Sequence, residues 1–149
     1  MSESVPIFLV EDNEADVDLT LRAFRRRKLS NPVTIARDGE EALDYIHRRG
    51  AFVTGAPIPG LILLDLRLPK VDGLDVLREI KSHPVYRNIP VVVLTTSAED
   101  RDVARSYELG AASYIVKPVE FEKFQEVVER IDLYWNLTNL AHPVTGQNG

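Results

Sequence analysis

The polar residues with the clearest chemical potential stand where apolar segments of the chain end. Glu11 and Asp12 follow one such segment, Asp65 lies near the end of a second, Thr95 ends a third and Lys117 follows a fourth. Three carboxylates brought together with little water would repel one another and raise one another's pKa values. A hard divalent cation removes this conflict, and carboxylate, carbonyl and water oxygens are the ligands that magnesium prefers. The pattern therefore predicts a Mg²⁺ site.

Such a site could support phosphoryl transfer. A carboxylate beside the cation can act as a nucleophile toward a phosphoryl group and form an acyl phosphate. The negative charge on the transferred oxygens then has to be stabilised by the cation, a lysine and hydroxyl or amide donors. Asp12 with the metal, Lys117 and Thr95 supply these groups. An acidic pair or a Lys-Pro pair alone is often only a turn, but the complete set at one sheet edge favours this chemistry.

Five short apolar segments, rich in β-branched residues, must position these side chains. Each precedes a stretch with helical periodicity, which indicates an α/β fold. Because several segments are apolar throughout, we expect a parallel sheet covered on both faces by helices. Ligands bind beyond the carboxyl ends of such strands, and the order 2-1-3-4-5 makes the first and third strands neighbours. The predicted strands are 7–10, 33–36, 61–66, 91–95 and 113–116.

Several residues mark the limits of the helices and loops. Two pairs have a capping residue followed three positions later by an acidic one, where the exposed amides and the helix dipole favour it. A further helix is expected to begin near Asp72-Gly73, and Gly110 should end the helix that precedes the fifth strand. Residues 50–60 are expected to form a surface loop. The two capping pairs are Asp38 with Glu41 and Ser97 with Asp100.

The last helix is predicted to begin near Glu120 and to run to about Leu140. A helix of about 20 residues is about 30 Å long, whereas a six-residue strand spans about 20 Å, so its end should extend beyond the sheet. Trp135 and Leu137 there need a cover, which a partner or a second copy of the chain would supply unless residues 142–149 fold back or the helix ends sooner. Its apolar residues, at helical spacing, are Phe121, Phe124, Val128, Ile131 and Trp135.

Composition restricts the function classes. The 149 residues, 44% of them hydrophobic, predict one domain over 1–149, with a core at about 5–133 and an extended end at about 134–149. The absence of cysteine excludes disulfides and thiolate metal sites. With a net charge of -5, no leader peptide and no apolar run of membrane length, we expect a cytoplasmic protein without nucleic-acid or membrane partners. One basic cluster is interpreted as a solvated helix face: Arg22, Arg25, Arg26, Arg27 and Lys28.

Over nearly its whole length the chain resembles the response regulator receiver family of two-component signalling systems. The resemblance implies a flavodoxin-like, doubly wound sheet of five parallel strands in the order 2-1-3-4-5, with five helices. It also implies that the chain is not an enzyme for a separate substrate and catalyses only its own phosphorylation and dephosphorylation. The segments that carry the resemblance are 10–13, 63–73, 90–96 and 114–118.

The resemblance implies a role for each acidic residue. Asp65 would be the phospho-acceptor. Asp12 and Asp65 would bind Mg²⁺ together with the main-chain carbonyl of Arg67, and Glu11 would act through water. Many members have aspartate where this chain has Glu11, and the extra methylene still permits a water-mediated contact.

The resemblance further implies a switch. Thr95 and Lys117 would hold the phosphoryl group, Thr95 and Tyr114 would be the switch residues, and the Lys117–Pro118 bond is expected to be cis. The phosphoryl group would come from a sensor histidine kinase, and the face of the fourth helix, fifth strand and fifth helix would be remodelled. We expect no output domain, and therefore a downstream protein as the target. The sequence looks similar to the small response regulators of bacterial phytochrome kinases, which favours a homodimer through the last helices.

Three other functions are weighed against this one. A haloacid-dehalogenase-like phosphatase needs a second carboxylate two residues after its nucleophile, where this chain has Arg67. A receiver that binds partners without phosphorylation is disfavoured because Asp12, Asp65, Thr95 and Lys117 are all present. A flavin carrier of similar fold is excluded, since the acidic first turn puts negative charge where a phosphate must bind.

Overall fold

Parallel strands and the helices that cover them alternate along the chain. The computed structural model describes residues 5–97 and 101–131. The strands are β1 (Ile7–Val10), β2 (Val33–Ala36), β3 (Leu61–Asp65), β4 (Val91–Thr95) and β5 (Ser113–Val116). The helices are α1 (Glu14–Arg26), α2 (Gly39–His47), α3 (Gly73–Ser82), α4 (Arg101–Glu108) and α5 (Phe121–Arg130). Two short 3₁₀ turns lie at Gly50–Phe52 and Tyr86–Asn88.

The five strands form one parallel sheet in the order β2-β1-β3-β4-β5, which confirms the predicted order. The third strand ends one residue earlier than predicted, at Asp65. In register, Val10 pairs with Leu64 and Thr95 pairs with Val116. All carboxyl ends therefore lie at the same edge of the sheet, and residues that follow neighbouring strands stand side by side.

Apolar side chains fill both faces of the sheet. Because successive side chains of a strand point to opposite faces, a strand that is apolar throughout contributes to two cores. On one face β1 and β3 pack against α2 and α3 through Phe8, Ile62 and Leu64. On the other face their alternate residues, such as Leu9 and Leu63, pack against α1 and α5. The two cores hold the strand ends, and hence the site, in fixed positions.

The predicted helix limits are confirmed where the structure describes them. Asp38 accepts a hydrogen bond from the Glu41 N–H at 2.8 Å, and the Glu41 carboxylate accepts one from the Arg37 N–H at 2.7 Å. Asp72 caps α3, which begins at the next residue. Gly110 has a φ of 108°, a conformation that favours glycine, and it follows the end of α4. The Ser97–Asp100 cap includes Asp100, which lies outside the described residues.

The loop between α2 and β3 packs more closely on the core than its composition suggests. It opens with a 3₁₀ turn, and the ring of Phe52 meets the ring of Tyr45 edge-on with centroids 5.1 Å apart. The Tyr45 hydroxyl donates a hydrogen bond to the Pro57 carbonyl. The segment is exposed at 50–51, 53–55 and 57–58, which fits the predicted surface loop.

The last helix is described through Arg130, with Phe124 and Val128 buried in the core as predicted. Its predicted continuation to about Leu140, with Trp135 and Leu137, lies outside the described residues. Within residues 5–97 and 101–131, none of the helices combines the length and apolar character that crossing a membrane requires.

Candidate functional site

Three carboxylates meet at the carboxyl edge of the sheet. Glu11 and Asp12 follow β1, and Asp65 is the last residue of β3, the neighbouring strand. One carboxylate oxygen from each residue lies within 4.8 Å of the other two. Glu11 is 1% exposed and Asp65 is 3% exposed, whereas Asp12 faces solvent. The structure thus brings together the three acidic residues that the sequence placed at one edge.

Burial and like charge act together on Glu11. Burial raises its pKa from 4.5 to about 8, and the hydrogen bond and negative charge of Asp65 act in the same direction. Lys117 and the Asn13 N–H oppose the shift. Such a raised pKa is expected when carboxylates that repel one another are close together without a cation. Carboxylate oxygens are also ligands that fit a hard divalent ion. Asp12 and Asp65 would hold it, Glu11 would contact it through water, and the ion would supply positive charge.

Glu11→Gln is expected to remove a pH dependence of stability in the metal-free protein. When the pKa of an acid is higher in the folded state than in the unfolded state, its protonated form favours folding. This stabilisation is complete below the pKa of the unfolded state and is lost as pH rises through the pKa of the folded state. For Glu11 this loss of stability should extend from pH 4.5 to about pH 8. In urea denaturation with a chelator present, wild type should therefore lose stability relative to Glu11→Gln across this window. Parallel profiles of the two proteins would contradict the raised pKa.

Lys117 contacts the acidic residues directly. It follows β5, and its backbone N–H donates to the Thr95 carbonyl at 2.7 Å. Its Nζ lies 3.0 Å from Asp65 Oδ2 and 3.2 Å from Glu11 Oε1. Burial acts to lower the pKa of Lys117, but the neighbouring carboxylates outweigh it and raise the pKa overall. The lysine therefore stays charged, and its bond to Pro118 is cis as expected.

Asp16 is a further partner of Lys117 that the sequence did not reveal. It lies in the first turn of α1, and its Oδ2 is 3.1 Å from Lys117 Nζ. A helix that begins at the site edge places its first turn over the site, and Asp16 is the third residue of α1. That position could have suggested the contact, but only once the direction of the Lys117 side chain was known.

The main chain of Arg67 contacts the site, and its side chain contacts α4. Its backbone N–H donates to Asp65 Oδ1 at 3.0 Å, which fixes the orientation of that carboxylate. Its guanidinium lies 3.3 Å from the Asp102 carboxylate, in the first turn of α4. The predicted metal contact of the Arg67 carbonyl stays a prediction.

Thr95 and Tyr114 share one face of the sheet. Val93 pairs with Tyr114 across β4 and β5, and Thr95, two residues later, points to the same face. The Thr95 hydroxyl donates to the Ser97 carbonyl at 3.1 Å, so it is engaged with its own turn. Tyr114 is half-buried and meets the Tyr107 ring of α4 edge-on, with centroids 6.3 Å apart. The predicted switch residues thus lie on the side of α4.

Comparison with known families agrees with this geometry. The profile of the response regulator receiver domain matches residues 7–129. The chain belongs to the response regulator receiver family. The match excludes the phosphatase and flavin-carrier alternatives, and the chain is a response regulator of the phosphorelay type. Receiver domains are in general signalling proteins and not enzymes for a separate substrate.

Two relatives of this receiver domain extend over most of the chain. It is 48% identical over 131 residues to the probable methanogenesis regulatory protein FilR2 of Methanothrix harundinacea (strain 6Ac), covering 87% of this chain and 82% of FilR2. It is 41% identical over 129 residues to the response regulator Rcp1 of Synechocystis sp., covering 87% of each protein.

Solved structures show the same receiver fold. The bacteriophytochrome response regulator AtBRR superposes with a TM-score of 0.82 at 48% identity, covering 90% of this chain and 96% of AtBRR. The Mn(2+)-bound form of Rcp1 superposes with a TM-score of 0.73 at 40% identity, covering 90% and 96%. Receiver domains bind a divalent metal, and the acidic cluster of Glu11, Asp12 and Asp65 has suitable oxygen donors.

Proposed function

We propose that this receiver domain accepts a phosphoryl group on Asp65 from a phosphohistidine of a sensor histidine kinase. The observation that carries the proposal is the charged Lys117 Nζ, 3.0 Å from Asp65 Oδ2 and next to Glu11, the two buried members of the acidic cluster. A largely buried cation beside a buried nucleophile is the arrangement that stabilises charge developing on a transferred group. We propose Mg²⁺ as the metal, held by Asp12, Asp65 and the Arg67 carbonyl, with Glu11 acting through water.

The residues of this chain would divide the work of transfer. The Arg67 N–H holds Oδ1 of Asp65, so the carboxylate is oriented before the donor arrives. A carboxylate oxygen of Asp65 bonds to phosphorus as the donor's P–N bond breaks and the imidazole leaves with its electron pair. The Lys117 ammonium then donates to a phosphoryl oxygen. The metal supplies positive charge that offsets the negative charge on the transferred group.

The signal would pass from the phosphoryl group to α4. We propose that the Thr95 hydroxyl exchanges its bond with Ser97 for one with the phosphoryl group, and that Tyr114 turns inward. Both side chains point to the same sheet face, and Tyr114 already contacts Tyr107 of α4, which supports this route. The α4–β5–α5 face would be remodelled as the output surface.

Similarity to the bacteriophytochrome response regulators AtBRR and RtBRR supports a phytochrome-type kinase as the phosphoryl donor. FilR2, at 48% identity, is named for regulation of methanogenesis, so a kinase that senses another stimulus is the second candidate. We further propose that residues 1–149 form a single receiver domain. Its Mg²⁺-dependent phosphorylation would signal to a downstream protein, and two copies would form a homodimer through their last helices. The net charge of -5 fits a protein partner better than nucleic acid.

Intact-mass spectrometry after treatment with acetyl phosphate tests the proposed function. With Mg²⁺ present we expect the mass of one added phosphoryl group, because a small acyl phosphate can replace the kinase as donor. With a chelator in excess the adduct should be absent, since the acidic cluster then lacks the cation that offsets its charge. Well-folded protein without an adduct in Mg²⁺ would instead favour a binding module that works without phosphorylation.

A further inference from the structure

Asp16 contacts the ammonium group of Lys117 as closely as the phospho-acceptor candidate does. Its Oδ2 lies 3.1 Å from Nζ, compared with 3.0 Å for Asp65 Oδ2. The backbone of Asp16 is fixed by the helix cap, because its N–H donates to the Asn13 side chain at 3.0 Å. The Thr20 hydroxyl donates to its carbonyl at 2.9 Å. Its carboxylate therefore stands on a well-anchored turn.

The three partners of Lys117 differ in what a metal would do to them. An ammonium group has three N–H donors, and here Glu11, Asp16 and Asp65 surround it. Glu11 and Asp65 belong to the acidic cluster. A divalent cation there would neutralise part of the negative charge with which they attract the ammonium group, and it would also repel that group. Asp16 lies outside that cluster. Its negative charge would remain fully available to Lys117.

We propose that Asp16 is a positioning residue that holds the Lys117 ammonium beside Asp65 while metal occupies the acidic cluster. The inference rests on the proposed function, because the ammonium so placed acts on the phosphoryl group arriving at Asp65. A lysine side chain has a flexible four-carbon stem, and confining it to one geometry costs conformational entropy. Asp16 offsets this cost before the donor binds.

The same contact would guide Lys117 during transfer. As the new O–P bond forms at Asp65 and the donor's leaving group departs with the electrons of the broken bond, the ammonium must pass from the carboxylate to a phosphoryl oxygen. Since Asp16 binds a different N–H of the ammonium, that contact persists while the other changes. Without Asp16 the lysine would sample positions away from the site, and the transferred charge would be stabilised less often.

Phosphorylation rates of matched variants test the role. With acetyl phosphate and Mg²⁺, Asp16→Ala is expected to react about tenfold more slowly, the usual effect of losing one hydrogen bond to a charged group. Asp16→Asn, which keeps an acceptor oxygen, should fall between Asp16→Ala and wild type. Asp18→Ala removes an exposed acid two residues further along α1 and should react like wild type. A wild-type rate in Asp16→Ala would overturn the inference.

A double-mutant cycle separates positioning from general damage. Because Asp16 acts through Lys117, Asp16→Ala should cause no further loss of rate in a Lys117→Met background. An equal loss in both backgrounds would show that Asp16 acts by another route.

A measurement without any phosphoryl donor separates this inference from the proposed function. In ¹H–¹⁵N spectra of lysine ammonium groups with Mg²⁺, the Lys117 signal is identified by its absence in Lys117→Met. It should broaden in Asp16→Ala, through faster exchange with water, and persist in Asp18→Ala. Failure of wild type to form an adduct would refute the proposed function alone, whereas an unchanged Lys117 signal in Asp16→Ala would refute the positioning role alone.

Discussion

Asp65→Asn is expected to abolish phosphorylation of this protein. The amide that replaces the carboxylate has almost the same shape and can still accept the hydrogen bond from the Arg67 N–H. It is not a nucleophile toward phosphorus, so no acyl phosphate can form. Intact-mass spectrometry after acetyl phosphate and Mg²⁺ should therefore show one added phosphoryl group on wild type and none on the variant.

The control for this substitution is Asp75→Asn. Asp75 is an exposed acid in the first turn of α3, where its carboxylate pairs with Arg78. The control should be phosphorylated like wild type, and thermal unfolding should show that both variants are folded. An adduct that persists on Asp65→Asn, mapped by peptide analysis to Glu11 or Asp12, would show that another carboxylate is the acceptor.

Lys117→Met is expected to lower the phosphorylation rate by about a hundredfold, the lower end of the effect of removing one charge-stabilising donor from an active site. Methionine has a similar length but no donor and no charge. Asp65 would keep its nucleophilic oxygen, so an adduct should still form slowly. The rate of adduct formation is measured with saturating Mg²⁺, and Lys28→Met, at an exposed lysine after α1, is the control.

Calorimetric titration with Mg²⁺ distinguishes two roles for this lysine. Removing a cation that lies beside Glu11 and Asp65 relieves its repulsion of the metal, so the affinity for Mg²⁺ should not fall. If affinity and rate fell together, Lys117 would act by arranging the carboxylates and not by contacting the phosphoryl group.

The strands could be predicted from the sequence because they are apolar throughout. Such runs fit a sheet covered on both faces, and the limits of four strands agree with the structure to the residue. The edge that carries Glu11, Asp65 and Lys117 followed from the same argument, since parallel strands end together. Helix caps such as Asp38 were predictable because their hydrogen bonds are local in sequence.

The contacts that could not be predicted join residues far apart in the chain. Asp16 and Lys117 are 101 positions apart, and their contact depends on how α1 is rotated about its axis. The pair of Arg67 and Asp102 depends likewise on the placement of α4. The packing of Phe52 on Tyr45 reflects the path of a loop that composition describes only as irregular. Periodicity gives the face of a helix, but not the partner it meets.

The assembly of the site from the ends of β1, β3, β4 and β5 has a consequence for folding. These strands are separated by long crossovers, and pairing of parallel strands is slow because distant segments must meet. A chain that had arranged only its first three strands would hold Glu11 and Asp65 together without Lys117. Such an intermediate would carry crowded, uncompensated carboxylates, which disfavour it. Pairing of β5 would bring Lys117 to these carboxylates and relieve their repulsion, so the charges of the site would disfavour partly formed sheets that lack β5.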